Sequence, residues 1–337
     1  MASDVALDLP RMRHMSVGMT AYAEELAARL PRVAPDLRFA TVVRTSALDL
    51  AEQLALPLRL WRERPRLVHH LSVYAPLLGT RPSIVTIHDL IHLRYPALFK
   101  NRVGPYYATV VRAVCARATR IITDDERTID DLERYLGIAP HKVAVVALGV
   151  DDRFFAEVAK PSTERPYFLY VGNHKPHKDL ATLFAAWAAL DPACDVDLWL
   201  TGADDLSGAT TLPGRSRGRI RFLGDVGARD LAVFYRGASA LVHPALCEGF
   251  GLPLLEAMAL GTPVIACRDA IPSVLAPFAV AFEPRDARAL ATAMQRAWAT
   301  PTDPSAARGF ARTLTWDRCA RKTAEVYRAV LEETTAR

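Results

Sequence analysis

The stretch from Leu241 to Ile265, LVHPALCEGFGLPLLEAMALGTPVI, admits few folds. A strand-like apolar run closes at Val242 to Pro244, and Glu248-Gly249-Phe250-Gly251 make a glycine-punctuated loop. Pro253 suits the first turn of a helix, where its missing N–H has no intrahelical partner to lose. The helix is predicted to run to about Leu260 with Gly261 as its stop, and another strand follows at Pro263 to Ala266. A glycine loop feeding a helix start lets backbone N–H groups approach an anion, and the helix dipole adds favourable potential. Phosphate is the first ligand to consider.

Two carboxylates flank that helix start, Glu248 before it and Glu256 inside it, with seven residues between. Carboxylates do not bind phosphate, but they accept paired hydrogen bonds from neighbouring hydroxyls. N–H groups for a diphosphate and carboxylates for diols at either end suit a nucleotide sugar. The bland alternative is dipole compensation by Glu at a helix N-terminus, and spacing alone does not choose between them.

A chain of 337 residues with 51% hydrophobic content can fill two cores. No apolar run reaches the roughly 18 to 20 residues of a membrane-spanning helix. MASDVALDL lacks the features of a secretory signal. Five scattered cysteines (Cys115, Cys194, Cys247, Cys267, Cys319) without Cys-x-x-Cys point to a reducing cytoplasm. The net charge of +5 is mild but uneven. From Leu90 to Thr123 there is no Asp or Glu, while Arg94, Lys100, Arg102, Arg112, Arg117 and Arg120 lie among Tyr95, Phe99, Tyr106 and Tyr107. Residues 94–120 therefore suit peripheral contact with anionic lipid at the cytoplasmic face of a membrane, or an acidic acceptor; a solvated helix face over core aromatics explains them equally. No nucleic-acid-binding module is present, so nucleic acid is not expected as a partner.

Short apolar runs alternate with helical patterns. Strands are predicted at Asp4 to Leu9, Phe39 to Val43, Ser83 to Ile87, Arg120 to Thr123 and Val143 to Ala147, with helices at Ala21 to Leu30, Tyr106 to Ala118 and Thr128 to Leu136. After a polar, proline-bearing stretch the pattern restarts, with strands near Tyr167 to Val171, Asp197 to Thr201, Ile220 to Leu223 and Ala240 to Val242 and helices at Leu180 to Leu190 and Ala228 to Arg236. Each half reads as a parallel-sheet α/β domain. Ligands in such sheets bind beyond the carboxyl ends of the strands. There lie His88-Asp89 after SIVTI, Gly172 to Lys178 after YFLYV, Gly202 after LWLT, and Glu248 after ALVHPALC.

Pro244, Glu248 to Pro253, Leu255 to Met258 and Gly261 to Ile265 together closely resemble the signature of the retaining family 4 glycosyltransferases. The resemblance extends to Ser16 to Tyr22, similar to that family's glycine loop before its first helix, to Thr86 to Leu90, to Ala147 to Asp151, to Gly172 to Asp179, and to Thr315-Trp316-Asp317 with Val326-Tyr327. It implies a GT-B fold, with two Rossmann-like parallel-sheet domains facing a central cleft. The acceptor-binding domain would be residues 1–155, a linker 156–165, the nucleotide-sugar domain 166–312, and 313–337 a helix crossing back to the first domain.

The resemblance also implies roles. Glu256 would hold the donor ribose and Glu248 a sugar hydroxyl, while N–H groups from Phe250 through Gly251 to Leu252 support the sugar and diphosphate. Lys178 would neutralise the diphosphate, with the backbone at Gly18 helping, Lys175 as a second cation, and Gly172 and Gly202 in the donor loops. His88 would line the donor sugar near the reacting carbon. The implied reaction is a metal-independent, retaining hexosyl transfer in polysaccharide biosynthesis, from a nucleotide diphosphate sugar to a glycan or lipid-linked saccharide, with no further cofactor. GDP-mannose is favoured among donors because His-Asp-Leu and Pro96 resemble mannosyl-transferring relatives; UDP- and dTDP-sugars stay open. A GT-B epimerase or phosphorylase, or a non-catalytic nucleotide-sugar-binding subunit, would use the same cradle.

Several residues depart from the family pattern: His177 stands where arginine is common, Asp124-Asp125-Glu126 replaces a serine-led turn, and Ser273 stands where glutamate is frequent. Asp195-Val196-Asp197 matches a metal motif but leads into a strand instead of ending one. His88 and His92 are four apart without HExxH chemistry. His69, His70, His174 and His243 read as surface or packed histidines. Gly-x-Gly-x-x-Gly is nowhere, which argues against NAD.

Overall fold

Apolar runs of three to six residues pair in parallel into two six-stranded sheets. The computed structural model describes residues 3–11, 15–44, 50–77, 79, 82–100, 103–204, 218–300 and 302–336, with 50–54 described by backbone alone. Two compact units result, Met1–Gly149 with Trp316–Arg337, and Val150–Thr315.

The first unit runs β1 (Val5–Pro10), α1 (Val17–Val33), β2 (Phe39–Arg44), α2 (Leu50–Glu63), β3 (Leu67–His70), β4 (Ser83–Thr86), α3 (Ile91–Arg94), α4 (Val103–Tyr106), α5 (Arg112–Arg117), β5 (Arg120–Thr123), α6 (Arg127–Leu136) and β6 (Val143–Val145). Its sheet order is β2-β1-β3-β4-β5-β6. A π-helical turn at Tyr107–Val111 joins α4 to α5. Ser16 caps α1 by accepting from Met19 N at 3.3 Å. The helix thus starts earlier than periodicity suggests, and Gly18 belongs to its first turn instead of a preceding loop.

Strand β3 and helix α2 lie where the sequence pattern predicts no element. The β3 sequence, LVHH, hides two polar rings in the middle of a sheet. Each is satisfied by hydrogen bonds. His69 meets the Tyr327 hydroxyl through Nδ1 at 2.6 Å and Thr86 Oγ1 through Nε2 at 2.8 Å. His70 Nδ1 meets Asp8 Oδ2 at 2.8 Å. Asp8 in turn takes Nε and Nη2 of the buried Arg44 at 3.1 and 3.0 Å. Helix α2 carries Pro57 in its interior, which breaks the usual helical signal.

The second unit runs β7 (Tyr167–Tyr170), α7 (Leu180–Ala188), β8 (Asp197–Leu200), β9 (Ile220–Phe222), α8 (Ala228–Gly237), β10 (Ala240–His243), α9 (Leu252–Ala259), β11 (Val264–Cys267), β12 (Ala279–Phe282), α10 (Ala287–Ala299) and α11 (Ser305–Ala311), with sheet order β12-β11-β10-β7-β8-β9. Phe168, Leu183, Trp187, Leu198, Val242, Ile265 and Met294 are part of its core. The chain then returns to the first unit as α12 (Trp316–Thr335). Asp317 Oδ1 takes Arg29 Nη1 and Arg32 Nη2 of α1 at 2.7 and 2.6 Å, and Arg328 Nη2 reaches Asp36 at 2.7 Å.

Among the described residues no helix is long and apolar enough to cross a membrane. Within 94–120, Lys100, Arg112 and Arg117 are exposed, Arg120 pairs with Glu333, and Arg102 lies outside the described residues.

Candidate functional site

The β10–α9 turn of the second unit is built by its glycines and proline. Gly251 takes φ +69°, a left-handed conformation that an L side chain resists, and so turns the loop into α9. Gly251 O accepts from Leu254 N at 2.9 Å, closing the first turn. The N–H groups of Gly249, Phe250, Gly251 and Leu252 meet no acceptor among the described residues. Together with the dipole of α9 they leave this loop able to hold an anion.

Glu248 is gripped from two sides. Lys178 Nζ and His243 Nε2 both reach its Oε1, the histidine at 2.8 Å. Burial disfavours the Glu248 carboxylate, but the Lys178 charge and the His243 hydrogen bond outweigh it and hold the carboxyl well below the usual range. Lys178 closes a 3₁₀ turn, Pro176–Lys178, and Asp179 follows at φ +48° before α7 starts. Leu246 N donates to His177 O at 2.9 Å, tying this turn to the β10–α9 loop. Of the surface and packed readings of His243 the packed one holds: the ring is fully buried, and it also reaches Glu248.

Glu256, one turn into α9, accepts the Tyr235 hydroxyl at 2.8 Å. Burial pushes its carboxyl up to about 7, against the hydrogen bond from Tyr235 and the charge of Arg153. It is poised between a neutral acid and a carboxylate able to take a diol.

Gly172 and Gly202, at the ends of β7 and β8, meet through Thr201. Gly172 N donates to Thr201 Oγ1 at 3.1 Å, and His174 Nε2 lies 2.8 Å from Thr201 O. A Cβ on Gly172 would stand 2.7 Å from the Tyr170 hydroxyl, so no larger residue fits unless that ring moves. Lys175 is exposed, its N–H turned to Asn173 Oδ1 at 3.2 Å.

In the first unit, His88 follows β4 and its Nδ1 lies 2.6 Å from Asp124 Oδ2. The Tyr22 ring meets it edge-on at 4.8 Å. His88 Nε2 and Asp124 Oδ1 are buried without a partner among the described residues. Buried polar atoms are rarely left unpaired in a native fold. In the turn after β5, Asp125 Oδ1 accepts from Arg127 N at 3.0 Å. His92 packs against Phe99 and Tyr107 at ring-centroid distances of 4.2 and 4.9 Å. Arg165 pairs with Asp195 at 2.9 Å, and no cluster able to hold a metal occurs among the described residues.

The fold thus joins Lys178 with Glu248, and Gly172 with Gly202 through Thr201. Gly18 and His88 belong to the first unit. His243, Asp124 and Tyr235 escaped sequence reading as partners of the expected residues. The signal for His243 was its place at a strand end five residues before Glu248.

Residues 16–154 match the family described as Glycosyltransferase Family 4, and residues 165–300 that described as Glycosyl transferases group 1. The O-antigen chain mannosyltransferase B of Escherichia coli is 31% identical over 173 residues, 48% of this chain and 45% of the relative. The O-antigen chain mannosyltransferase RfbU of Salmonella typhimurium is 28% identical over 193 residues, 56% of this chain and 52% of the relative. The chain spans about half the length of these curated relatives. The structure of Anabaena Alr3699/HepE in complex with UDP-glucose superposes with a TM-score of 0.75 at 17% identity, covering 97% of this chain and 100% of that one. That likeness identifies the fold as GT-B.

Proposed function

Because this chain belongs to the family 4, group 1 glycosyltransferases, we propose that it moves a hexose, with retention and without a metal, from a nucleotide diphosphate sugar to a glycan or lipid-linked saccharide in polysaccharide biosynthesis. The observation that carries the reading is the β10–α9 loop, where N–H groups with no acceptor among the described residues, the Lys178–Glu248–His243 cluster and the Tyr235–Glu256 pair all converge on one helix start.

Breaking a sugar–diphosphate bond leaves positive charge at the anomeric carbon and negative charge on the departing oxygen. Fixed N–H groups and a lysine at the diphosphate stabilise that separation, and losing one such donor typically costs ~10² to 10³ in rate. Glu256 accepts the ribose hydroxyls, Glu248 a hydroxyl of the sugar, and Lys178 exchanges its carboxylate partner for phosphate. His88 offers Nε2 to a hydroxyl in the first unit. The departing phosphate takes the acceptor's proton, so no carboxylate nucleophile is required. The names of the two mannosyltransferase relatives support mannose as the sugar, and the resemblance of His-Asp-Leu and Pro96 to mannosyl-transferring relatives favours GDP-mannose, while the UDP-glucose complex of the structural neighbour supports a UDP-sugar as the alternative. Exposed Lys100, Arg112 and Arg117 suit work beside anionic lipid at the cytoplasmic face of a membrane.

The test is thermal unfolding with GDP, UDP, dTDP, ADP and CDP, with and without EDTA, on the wild type and Glu256→Ala. A nucleotide at ~100 times its dissociation constant stabilises the native state by roughly 2.7 kcal/mol. One nucleotide should do so, EDTA should leave the effect intact, and Glu256→Ala should abolish it. A folded protein that responds to no nucleotide would overturn the reading and point to a non-catalytic subunit.

A further inference from the structure

Both donors to Glu248 use the same oxygen. Lys178 and His243 meet at Oε1, and no described residue donates to Oε2. Tyr170, whose ring feels the charge of Glu248, spends its hydroxyl on Asn173 O at 2.5 Å. His243 ends β10, is fully buried, and has an Nδ1 without a partner among the described residues. A neutral imidazole carries one N–H, so a ring donating from Nε2 leaves Nδ1 bare. Burial lowers the pKa of the ring against the pull of Glu248, in keeping with a neutral donor.

We propose that His243 is a positioning residue that holds the Glu248 carboxylate when Lys178 leaves it for the diphosphate of the donor, so that Oε2 stays presented to a sugar hydroxyl. This rests on the donor-binding reading above. The two grips on Oε1 are unequal in kind. Lys178 sits at the end of a flexible stem and carries a charge that phosphate competes for. The ring of His243 is fixed by its strand and carries no charge to lose. Without it, transfer of Lys178 to phosphate strands a desolvated carboxylate, a state so unfavourable that the lysine stays with Glu248 and the donor binds poorly.

The test compares His243→Gln, His243→Asn and His243→Leu in the full chain, by donor KM and kcat and by binding of the matching nucleoside monophosphate. Glutamine places an amide N–H near the position of Nε2, whereas asparagine falls short and leucine has none. One hydrogen bond to a charged group is worth roughly one to two decades in an equilibrium constant. Donor KM should therefore rise about 10- to 100-fold in His243→Asn and His243→Leu, and His243→Gln should restore most of the loss. The monophosphate, lacking the sugar and outer phosphate, should bind all three alike. Glutamine no better than leucine, or an unchanged donor KM in leucine, overturns the inference.

Histidine NMR on the wild type decides the case if the variants do not fold. A neutral Nε2–H ring, with and without donor, is expected; an Nδ1–H ring or an imidazolium overturns the inference. If the wild type neither binds nor turns over any nucleotide sugar, the donor-binding reading fails and the inference with it. An Nε2–H ring in that case would identify the donor reading, and not the grip of His243 on Glu248, as the error.

Discussion

His88 Nδ1 lies 2.6 Å from Oδ2 of Asp124, a carboxylate only 2% exposed. Burial works against a charge on His88, but the field of Asp124 and its hydrogen bond overcome it and raise the histidine pKa. A histidine whose folded pKa is raised contributes stability that is complete below its unfolded value, about 6.5, and is lost as pH rises through the folded one. Asp124→Asn keeps the shape and removes the charge. Histidine NMR should show His88 titrating at lower pH, and the loss of thermal stability should be larger at pH 5 than at pH 9. A penalty equal at both pH values would show that the pair is not charged.

Glu256 gives a pH dependence of the same sense, set at lower pH. Its carboxyl is pushed up to about 7 from an ordinary value of 4.5, so the fold disfavours the carboxylate that the unfolded chain forms freely. Stability attributable to this group therefore falls as pH rises from about 4.5 to 7. Glu256→Gln should melt higher than the wild type at pH 8, with the advantage gone at pH 4. Nucleotide binding should run the other way, tightening between pH 6 and 8 as the diol acceptor ionises. Isothermal titration calorimetry across that range should find the dependence in the wild type and not in Glu256→Gln.

Gly251→Ala tests the turn into α9. At φ +69° the new Cβ costs about 1 to 2 kcal/mol from backbone strain alone. It also stands 3.4 Å from Leu254 Cδ1, close to ordinary contact, so the cost is mainly that of the backbone. The variant should lose that much stability by urea titration and bind nucleotide more weakly, because the N–H groups beside it shift. Unchanged nucleotide affinity in a destabilised variant would separate the turn from the anion site.

His69 should make the first unit acid-sensitive. Burial, reinforced by His70 and His88, pushes its pKa down to about 3. Below about 6.5 the unfolded chain takes a proton that the native ring refuses. Stability then declines with falling pH by up to ~1.4 kcal/mol per unit until the native ring also titrates. Thermal unfolding between pH 7 and 4 should fall less steeply in His69→Gln.

The parts of the site legible in the sequence were those whose cause is local. Gly251 and Pro253 announce the turn and helix start of α9 because each acts on its own backbone. Glu248 and Glu256 stood out as acids at a helix start, and the contiguous run around them, Pro244 to Ile265, chose the reading that their spacing left open. What holds them was not legible, since Lys178 comes from 70 residues away and Tyr235 from 21. Strand β3 was illegible because LVHH becomes a buried strand only once Tyr327, 258 residues on, and Thr86 and Asp8 supply partners for its imidazoles. The same distance effect hid Asp124, which had read as one end of an acidic turn and not as the partner of His88. The early start of α1 turned on the choice of Ser16 as cap, a single side chain outside the apolar repeat.

The return of α12 to the first unit has a bearing on how the chain is made. Val150 N donates to Leu314 O at 2.9 Å, so the points where the polypeptide leaves the first unit and heads back to it are neighbours. The second unit is one uninterrupted segment and can complete its fold as soon as it has emerged from the ribosome. The first unit, begun earlier, is finished later, because Tyr327, Val330 and Leu331 belong to its interior and follow the second unit in the chain. Until then His69 lacks the hydroxyl that pairs with its Nδ1. Synthesis halted before residue 316 thus leaves the half translated first as the half that stays incomplete, and a quality-control protease would find its substrate there.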